Sequence, residues 1–344
     1  MWIMVSLVLY SHVMVIKMGC FHPRKAWPIG FHHTGSVKYR ITSFTTDYVK
    51  DATGDPIEIP CGRCIGCRLT YSRQWADRCM LELKQHEQSW FVTLTYDNDH
   101  IDHLKRHIIE PDTGEVFDVL SLNKRDLQLF MKRVRKNYPY DNHLKYYAAG
   151  EYGDNTYRPH YHAIMFGLKL DNLTFYKQSE HGYNYYNSEF LDKCWQNQGH
   201  VVVGRVNWDT CAYTARYIMK KQYGLAADIY DRYNIEPEFT LMSRKPAIGR
   251  EYYDDNKEEI FKYDEIYIGT EEGSHAVRPP RYYEKLFALD FPEDYAILKE
   301  QRKEFCDDMK QLKLERTSLP YLEMLETQEL VKQSQISALK RKEF

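Results

Sequence analysis

The chain has 344 residues, enough for one large or two ordinary domains. It carries 47 Lys and Arg against 49 Asp and Glu, so bulk charge announces no nucleic-acid partner and any such surface must be local. Aromatic residues make up 15% of the chain, which speaks against disorder, and three of its 8 cysteines crowd into one short stretch, as in a metal knot in a reducing compartment rather than a disulfide framework.

Met1 to Ile16 is apolar and lacks Lys and Arg. It is shorter than the ~20 residues that span a bilayer and has no basic region or small-residue cleavage site of a signal peptide. Its character breaks at Lys17-Met18-Gly19-Cys20, so residues 1–17 read as an upstream-start extension, with Met18 as the start. Residues 18–89 form a Cys-rich and helical region. Within it, Cys61-Gly62-Arg63-Cys64-Ile65-Gly66-Cys67 has the spacing C-x-x-C-x-x-C, and zinc takes four nitrogen or sulfur ligands in a closed structural site. Cys20 is the natural fourth ligand and His22 the reserve. A redox pair or three unliganded thiols are the alternatives.

Arg68 to about His86 reads as a helix with Ala76, Cys79, Met80 and Leu83 on one face. Trp90 to Tyr96 reads as a buried strand. Asn98 to Leu120 is polar, with a turn at Pro111-Asp112-Thr113-Gly114, and its His100, His103 and His107 have no evident acidic partner. Ser121 is placed to cap a helix running to about Tyr138, with Leu127, Phe130, Met131 and Val134 as its apolar stripe.

Tyr146 to Tyr152 is the next strand. A polar turn, Gly153-Asp154-Asn155-Thr156, leads into Arg158-Pro159-His160-Tyr161-His162-Ala163-Ile164-Met165-Phe166, so the two strands form a hairpin. Side chains alternate along a strand, so His160 and His162 share a face while Tyr161, Ala163 and Met165 point the other way. Glu151 lies nine residues before His160 and completes a two-His-one-carboxylate set, suited to Mn²⁺ and less well to Mg²⁺. Two hydrogen-bonded histidines of an edge strand are the plain alternative.

Ser188 to Gln198 reads as a short helix closed by Gly199, and His200 to Val206 as a strand. In Cys211 to Lys221, Tyr213 and Tyr217 stand at i and i+4, so their phenols lie on one face. Arg216 and Lys220 each follow a tyrosine by three. An aromatic stripe packed on a sheet is the alternative. Residues 226–283 read as irregular, with a basic patch from Ser243 to Arg250, and 284–344 as a charged helical tail interrupted near Pro320.

The fold class is α+β. The core at residues 90–225 reads β-α-β-β-α-β, a split βαβ arrangement with a central antiparallel sheet flanked by helices. The site residues supply metal polarisation of a phosphodiester by His160, His162 and Glu151, nucleophilic tyrosines, and neighbouring cations.

Four pieces in this order resemble the replication initiation proteins of microviruses, of the gokushovirus type, within the HUH endonucleases. They are Cys61 to Arg68, Phe91 to Tyr96, Arg158 to His162, and Tyr213 to Lys220, joined by Ser243 to Arg250. The resemblance covers roughly Met18 to Tyr283. It implies rolling-circle initiation: origin nicking on one strand by tyrosine, a 5′-phosphotyrosine link, a free 3′ hydroxyl, and later strand transfer to close circular single-stranded DNA. It implies Tyr213, Tyr217, Arg216 and Lys220 as catalytic, Mg²⁺ or Mn²⁺ as catalytic metal, and structural zinc. Arg158, Lys221, Arg244, Lys245 and Arg250 are the expected DNA contacts. Single-stranded DNA, the phage origin and the host helicase and polymerase are the expected partners, in the host bacterial cytoplasm and without a membrane. An HUH transposase or relaxase, a zinc-ribbon nucleic-acid-binding protein without catalysis, and a hydrolase of small phosphoesters remain as alternatives.

Overall fold

The computed structural model describes residues 19–338 apart from 111–112, 141–142, 155, 180–181, 217–220, 223 and 271–272. The extension before Met18, with Met18 itself, lies outside them, as do Tyr217 and Lys220. The chain divides into two compact units. One joins the residues up to Tyr71 to those from Glu284 onward, and the other is Ser72–Tyr283.

The first unit holds a three-stranded antiparallel sheet of order β2-β1-β3, built from β1 (Arg24–Phe31), β2 (Val37–Ser43) and β3 (Ile57–Ile59). No sequence pattern announces these strands, because nearly every residue of β2 is exposed and no apolar-polar alternation results. Helix α1 (Ile65–Leu83) begins here, and the unit boundary falls within it.

The second unit is organised on a seven-stranded antiparallel sheet. Its strands are β4 (Ser89–Leu94), β7 (Lys145–Tyr152), β8 (Pro159–Phe166), β9 (Leu173–Gln178), β10 (Asn184–Ser188), β11 (Val201–Arg205) and β12 (Phe239–Met242), in the order β12-β7-β8-β4-β11-β10-β9. A separate hairpin, β5 (Lys105–Ile109) with β6 (Val116–Leu120), occupies the stretch expected to be a polar loop. The histidines of that stretch do have acidic partners: His100 meets Asp97 at 2.7 Å, His103 meets Asp126 at 2.9 Å, and His107 meets Asp118.

Alternation along β8 sorts the core. Tyr161, Ala163 and Met165 face helices α2 (Lys124–Asn137) and α3 (Glu189–Trp195), in one cluster with Leu127, Phe130, Met131, Val134, Leu191 and Trp195. Ile164 and Phe166 face Ala76 and Cys79 of α1, and Cys211, Ala212 and Ala215 of α4 (Trp208–Arg216). Truncating Phe130 to Ala would cost about 3–5 kcal/mol, because it is fully enclosed.

Helix boundaries differ from expectation where side-chain capping decides them. Asn123, not Ser121, caps α2: its side chain accepts from the Arg125 N–H, whereas the Ser121 hydroxyl donates to the Leu122 carbonyl. Helix α3 closes at Gln196, which takes the left-handed conformation in place of Gly199. Residues 226–283 are not irregular. They carry α5 (Asp228–Arg232), β12 on the sheet edge, α6 (Arg250–Tyr263) and the hairpin β13 (Ile266–Thr270) with β14 (Gly273–Val277). The tail is helical as expected, with α7 (Arg281–Asp290), α8 (Pro292–Leu314) and α9 (Tyr321–Ala338), broken near Pro320. Among the described residues no helix is long and apolar enough to cross a membrane.

Candidate active site

The β7–β8 register pairs Glu151 directly with His160 and Ala149 with His162. Glu151, His160 and His162 therefore stand on one face of two adjacent strands. Glu151 Oε1 lies 2.7 Å from His160 Nε2 and 3.1 Å from His162 Nε2. Glu151 and His162 are buried, and His160 is partly exposed.

Both imidazoles are oriented from behind. The His160 Nδ1 lies 3.1 Å from the Arg158 carbonyl, which can only accept, so in the neutral ring Nδ1 carries the proton and Nε2 keeps its lone pair. His162 Nδ1 lies 3.0 Å from Thr93 Oγ1, its cross-strand neighbour on β4. This is the arrangement by which imidazole ligands to metals are held. Phe91 stacks on the His162 ring at 5.4 Å between centroids. Burial alone would raise the Glu151 pKa, but the hydrogen bonds from His160 and His162 outweigh it and hold the carboxyl well below its usual range. Two nitrogens and a carboxylate oxygen converging at these distances fit one divalent cation.

Tyr213, on α4, meets the same place: its ring stands edge-on to His162, with centroids 5.3 Å apart, and edge-on to Phe91 at 6.3 Å. Arg216 is exposed on the same helix. Sequence reading missed Thr93 and Phe91, although alternation along Phe91-Val92-Thr93 places both on the His162 side.

The expected DNA contacts fare differently. The Arg158 guanidinium is tied to Asn98 Oδ1 and the Tyr96 carbonyl, both at 2.9 Å. Arg250 pairs with Asp254 at 2.8 Å. Arg244 and Lys245 are exposed, and Lys221 is partly buried.

The first unit gathers Cys20, Cys61, Cys64 and Cys67, whose sulfurs all lie within 4.8 Å of one another. The Cys61–Cys67 and Cys20–Cys64 separations are 4.0 and 3.9 Å. A tetrahedral zinc with a Zn–S distance of ~2.3 Å sets sulfur pairs about 3.8 Å apart, so the cluster fits that ion. Backbone N–H groups of Phe21, Cys61, Arg63 and Cys64 donate to its sulfurs. Gly66 is needed here, because a Cβ would stand 2.2 Å from the Gly19 carbonyl oxygen. Hydrogen bonds from Cys20 and Cys67 hold the Cys64 thiol well below its ordinary value, and the bond to Cys64 pushes Cys20 up. His22, the reserve ligand, is instead bound to Glu329.

These features define a mixed nitrogen–oxygen cation site with a phenol beside it, and a separate four-sulfur site. Residues 89–222 match the model of the replication-associated protein ORF2 family. The chain is 29% identical over 300 residues to the replication-associated protein ORF2 of Spiroplasma virus 4, covering 83% of this chain and 86% of that one. It is 31% identical over 278 residues to the replication-associated protein VP4 of Bdellovibrio phage phiMH2K, covering 81% and 80%. With the replication-associated protein ORF4 of Chlamydia phage 1 it shares 27% over 261 residues, covering 74% of this chain and 59% of that one. No solved structure matches the chain. The chain belongs to the microvirus-type family of phage replication-associated proteins.

Proposed function

We propose that this chain initiates rolling-circle replication of phage DNA, as a metal-dependent, strand-specific endonuclease and strand transferase acting on single-stranded DNA at the phage origin. The observation that carries this reading is the meeting of Glu151, His160 and His162 with the Tyr213 ring on one sheet face. The strand order β7-β8-β4-β11, antiparallel throughout, with α2 between β4 and β7 and α3 before β11, supports a split βαβ HUH-type core over residues 90–225.

Mg²⁺ or Mn²⁺ held by Glu151, His160 and His162 would supply Lewis-acid polarisation of the scissile phosphodiester. The chain's residues supply the rest. Tyr213 Oη attacks phosphorus, forming an O–P bond while the bond to the 3′ oxygen breaks. The phenol proton is lost to solvent, and the 3′ oxygen leaves as a hydroxyl after taking a proton. Arg216, and Lys220 beyond the described residues, favour the phenolate and the charge on phosphate. Tyr217, also outside them, accepts the second cleavage, so that the first 3′ hydroxyl can displace a tyrosine and close the circle. The resemblance to the family in both tyrosines supports this pairing.

The four cysteines hold a structural zinc. The host helicase and polymerase extend the free 3′ hydroxyl in the bacterial cytoplasm. Incubation with single-stranded phage DNA and Mn²⁺, followed by a denaturing gel, tests the reading: a protein band shifted by covalent 5′-linked DNA is expected, and its absence across a metal titration overturns it.

A further inference from the structure

The basic stretch from Ser243 to Arg250 is held more tightly than a surface turn requires. Its start extends the sheet: the Ser243 N–H donates to the Tyr146 carbonyl at 2.9 Å, and the Tyr146 N–H donates to Ser243 Oγ at 3.1 Å. Its end is gripped by buried charges. Arg78 donates through Nε and an Nη to the Ile248 carbonyl, at 3.2 and 2.7 Å. The same guanidinium lies between the Trp75 and Tyr282 rings, 4.1 Å from each. Glu82, fully buried, accepts the Gly249 N–H at 2.6 Å, and its other oxygen takes Lys145 at 2.8 Å and His86 at 2.7 Å. The Tyr283 hydroxyl donates to the Gly249 carbonyl at 2.6 Å. Gly249 has φ +75°, and a Cβ there would meet that hydroxyl at 2.7 Å, so glycine is required.

Burying Arg78, Glu82 and Lys145 is costly, and apolar packing would stabilise the unit at least as well. What the network adds is a fixed position for the loop. Held in that position, Arg244 and Lys245 project outward, exposed and with no ion-pair partner among the described residues. Arg250 differs, because Asp254 neutralises it. The loop also stands on the right face. Ile248 packs with Tyr147, Ile164 and Phe166, whose side chains share the face of Glu151, His160 and His162. From Tyr146, beside Ser243, to Glu151 is five residues of β7, about 17 Å at ~3.4 Å per residue.

We propose that the Ser243–Arg250 loop is a preorganised phosphate clamp for single-stranded DNA, in which Arg244 and Lys245 contact the backbone and Arg78, Glu82 and Tyr283 are positioning residues. The clamp engages the strand away from the scissile phosphate, so it sets affinity and not the chemical step. This rests on the single-stranded DNA reading above and sorts its expected contacts. Arg244 and Lys245 touch phosphate, whereas Arg250 and Arg158 serve the protein's own structure.

The test is fluorescence anisotropy of a labelled oligo-dT with the full chain, titrated with NaCl. Each lost single-strand phosphate contact lowers the slope of log K against log salt by ~0.7. The double variant Arg244→Ala/Lys245→Ala should lower it by about 1.4, and Arg250→Ala should leave it unchanged. Arg78→Lys, which keeps charge but loses the two-pronged grip, should raise Kd several-fold and leave the adduct-forming rate at saturating DNA unchanged. The clamp is overturned if the double variant keeps the wild-type slope or if Arg250→Ala loses as much. The positioning role is overturned if Arg78→Lys binds as wild type, or if only its saturated rate falls. Failure of the clamp is distinct from failure of the nicking reading. The first leaves wild-type adduct intact, and the second leaves salt-dependent binding without adduct.

Discussion

The two candidate metal sites are built by opposite means. Glu151, His160 and His162 owe their convergence to sheet register: a one-residue slip of β7 against β8 would turn Glu151 to the far face. Cys20, Cys61, Cys64 and Cys67 converge on loops, drawn in by N–H donors to sulfur and by the close approach of Gly66 to Gly19. The first has three mixed donors, with His160 partly exposed and Tyr213 alongside, so further coordination positions stay open for a substrate. The second has four soft donors and no place left over. A rigid open site suits chemistry, and a closed sulfur site suits folding.

The sharpest way to break this contrast is to remove one ligand from each. His160→Ala or His162→Ala should lower adduct formation by about a thousandfold or more, since a Lewis acid contributes several kcal/mol to the transition state, while circular dichroism stays native. A variant that nicks at the wild-type rate across a metal titration would sink the metal assignment. Cys64→Ser should do the reverse. It should lower thermal stability by many degrees and release zinc seen in native mass spectrometry, with the chemical step little changed in protein that remains folded. Soluble, active wild-type protein free of zinc would contradict it.

A smaller effect sharpens the picture of the open site. Thr93→Val removes the hydroxyl behind His162 Nδ1 and should weaken metal affinity by about 10–100-fold, with activity recovered at high Mn²⁺. An unchanged Mn²⁺ dependence would mean that Thr93 does not orient the ring.

The smallest effect concerns neither site. Asp77 on α1 is pushed up to about 7 by burial, against the pull of Arg73, and its Oδ1 has no hydrogen-bond partner among the described residues. For an acid whose folded pKa is raised, the protonated form is the one the fold favours. Stability is therefore greatest below the ordinary aspartate value of ~3.9 and falls as pH rises toward about 7, by at most about 1.4 kcal/mol per pH unit. Asp77→Asn should match wild type near the bottom of that window and exceed it in thermal stability above the top. Parallel melting-temperature profiles for the two proteins would contradict this.

Legibility in the sequence followed the strength of local pattern. Alternation alone put His160 and His162 on one face, and a short polar turn brought Glu151 opposite, because a tight hairpin constrains register. The stripe Leu127, Phe130, Met131 and Val134 was equally plain and is buried as expected. The strands β1 to β3 and the hairpins β5–β6 and β9–β10 escaped notice, since strands with so much exposed surface lack a hydrophobic period. Long-range contacts were out of reach as well. Nothing local says that Arg78 and Glu82 would grip Ile248 and Gly249 from 167 residues away or more. Capping residues Asn123 and Gln196 lost to the more conventional Ser121 and Gly199 because the choice depends on where neighbouring strands end.

The central claim is that a tyrosine beside the Glu151–His160–His162 site becomes covalently joined to DNA. Wild type, Tyr213→Phe, Tyr217→Phe and the double variant can be compared for 5′-linked adduct on a single-stranded origin oligonucleotide and for closure of circular product. The account predicts some adduct from each single variant, no complete cycle from either, and no adduct from the double variant. Full circularisation by Tyr213→Phe with Tyr217→Phe inactive would contradict it, leaving Tyr213 as packing against His162 or a substrate contact.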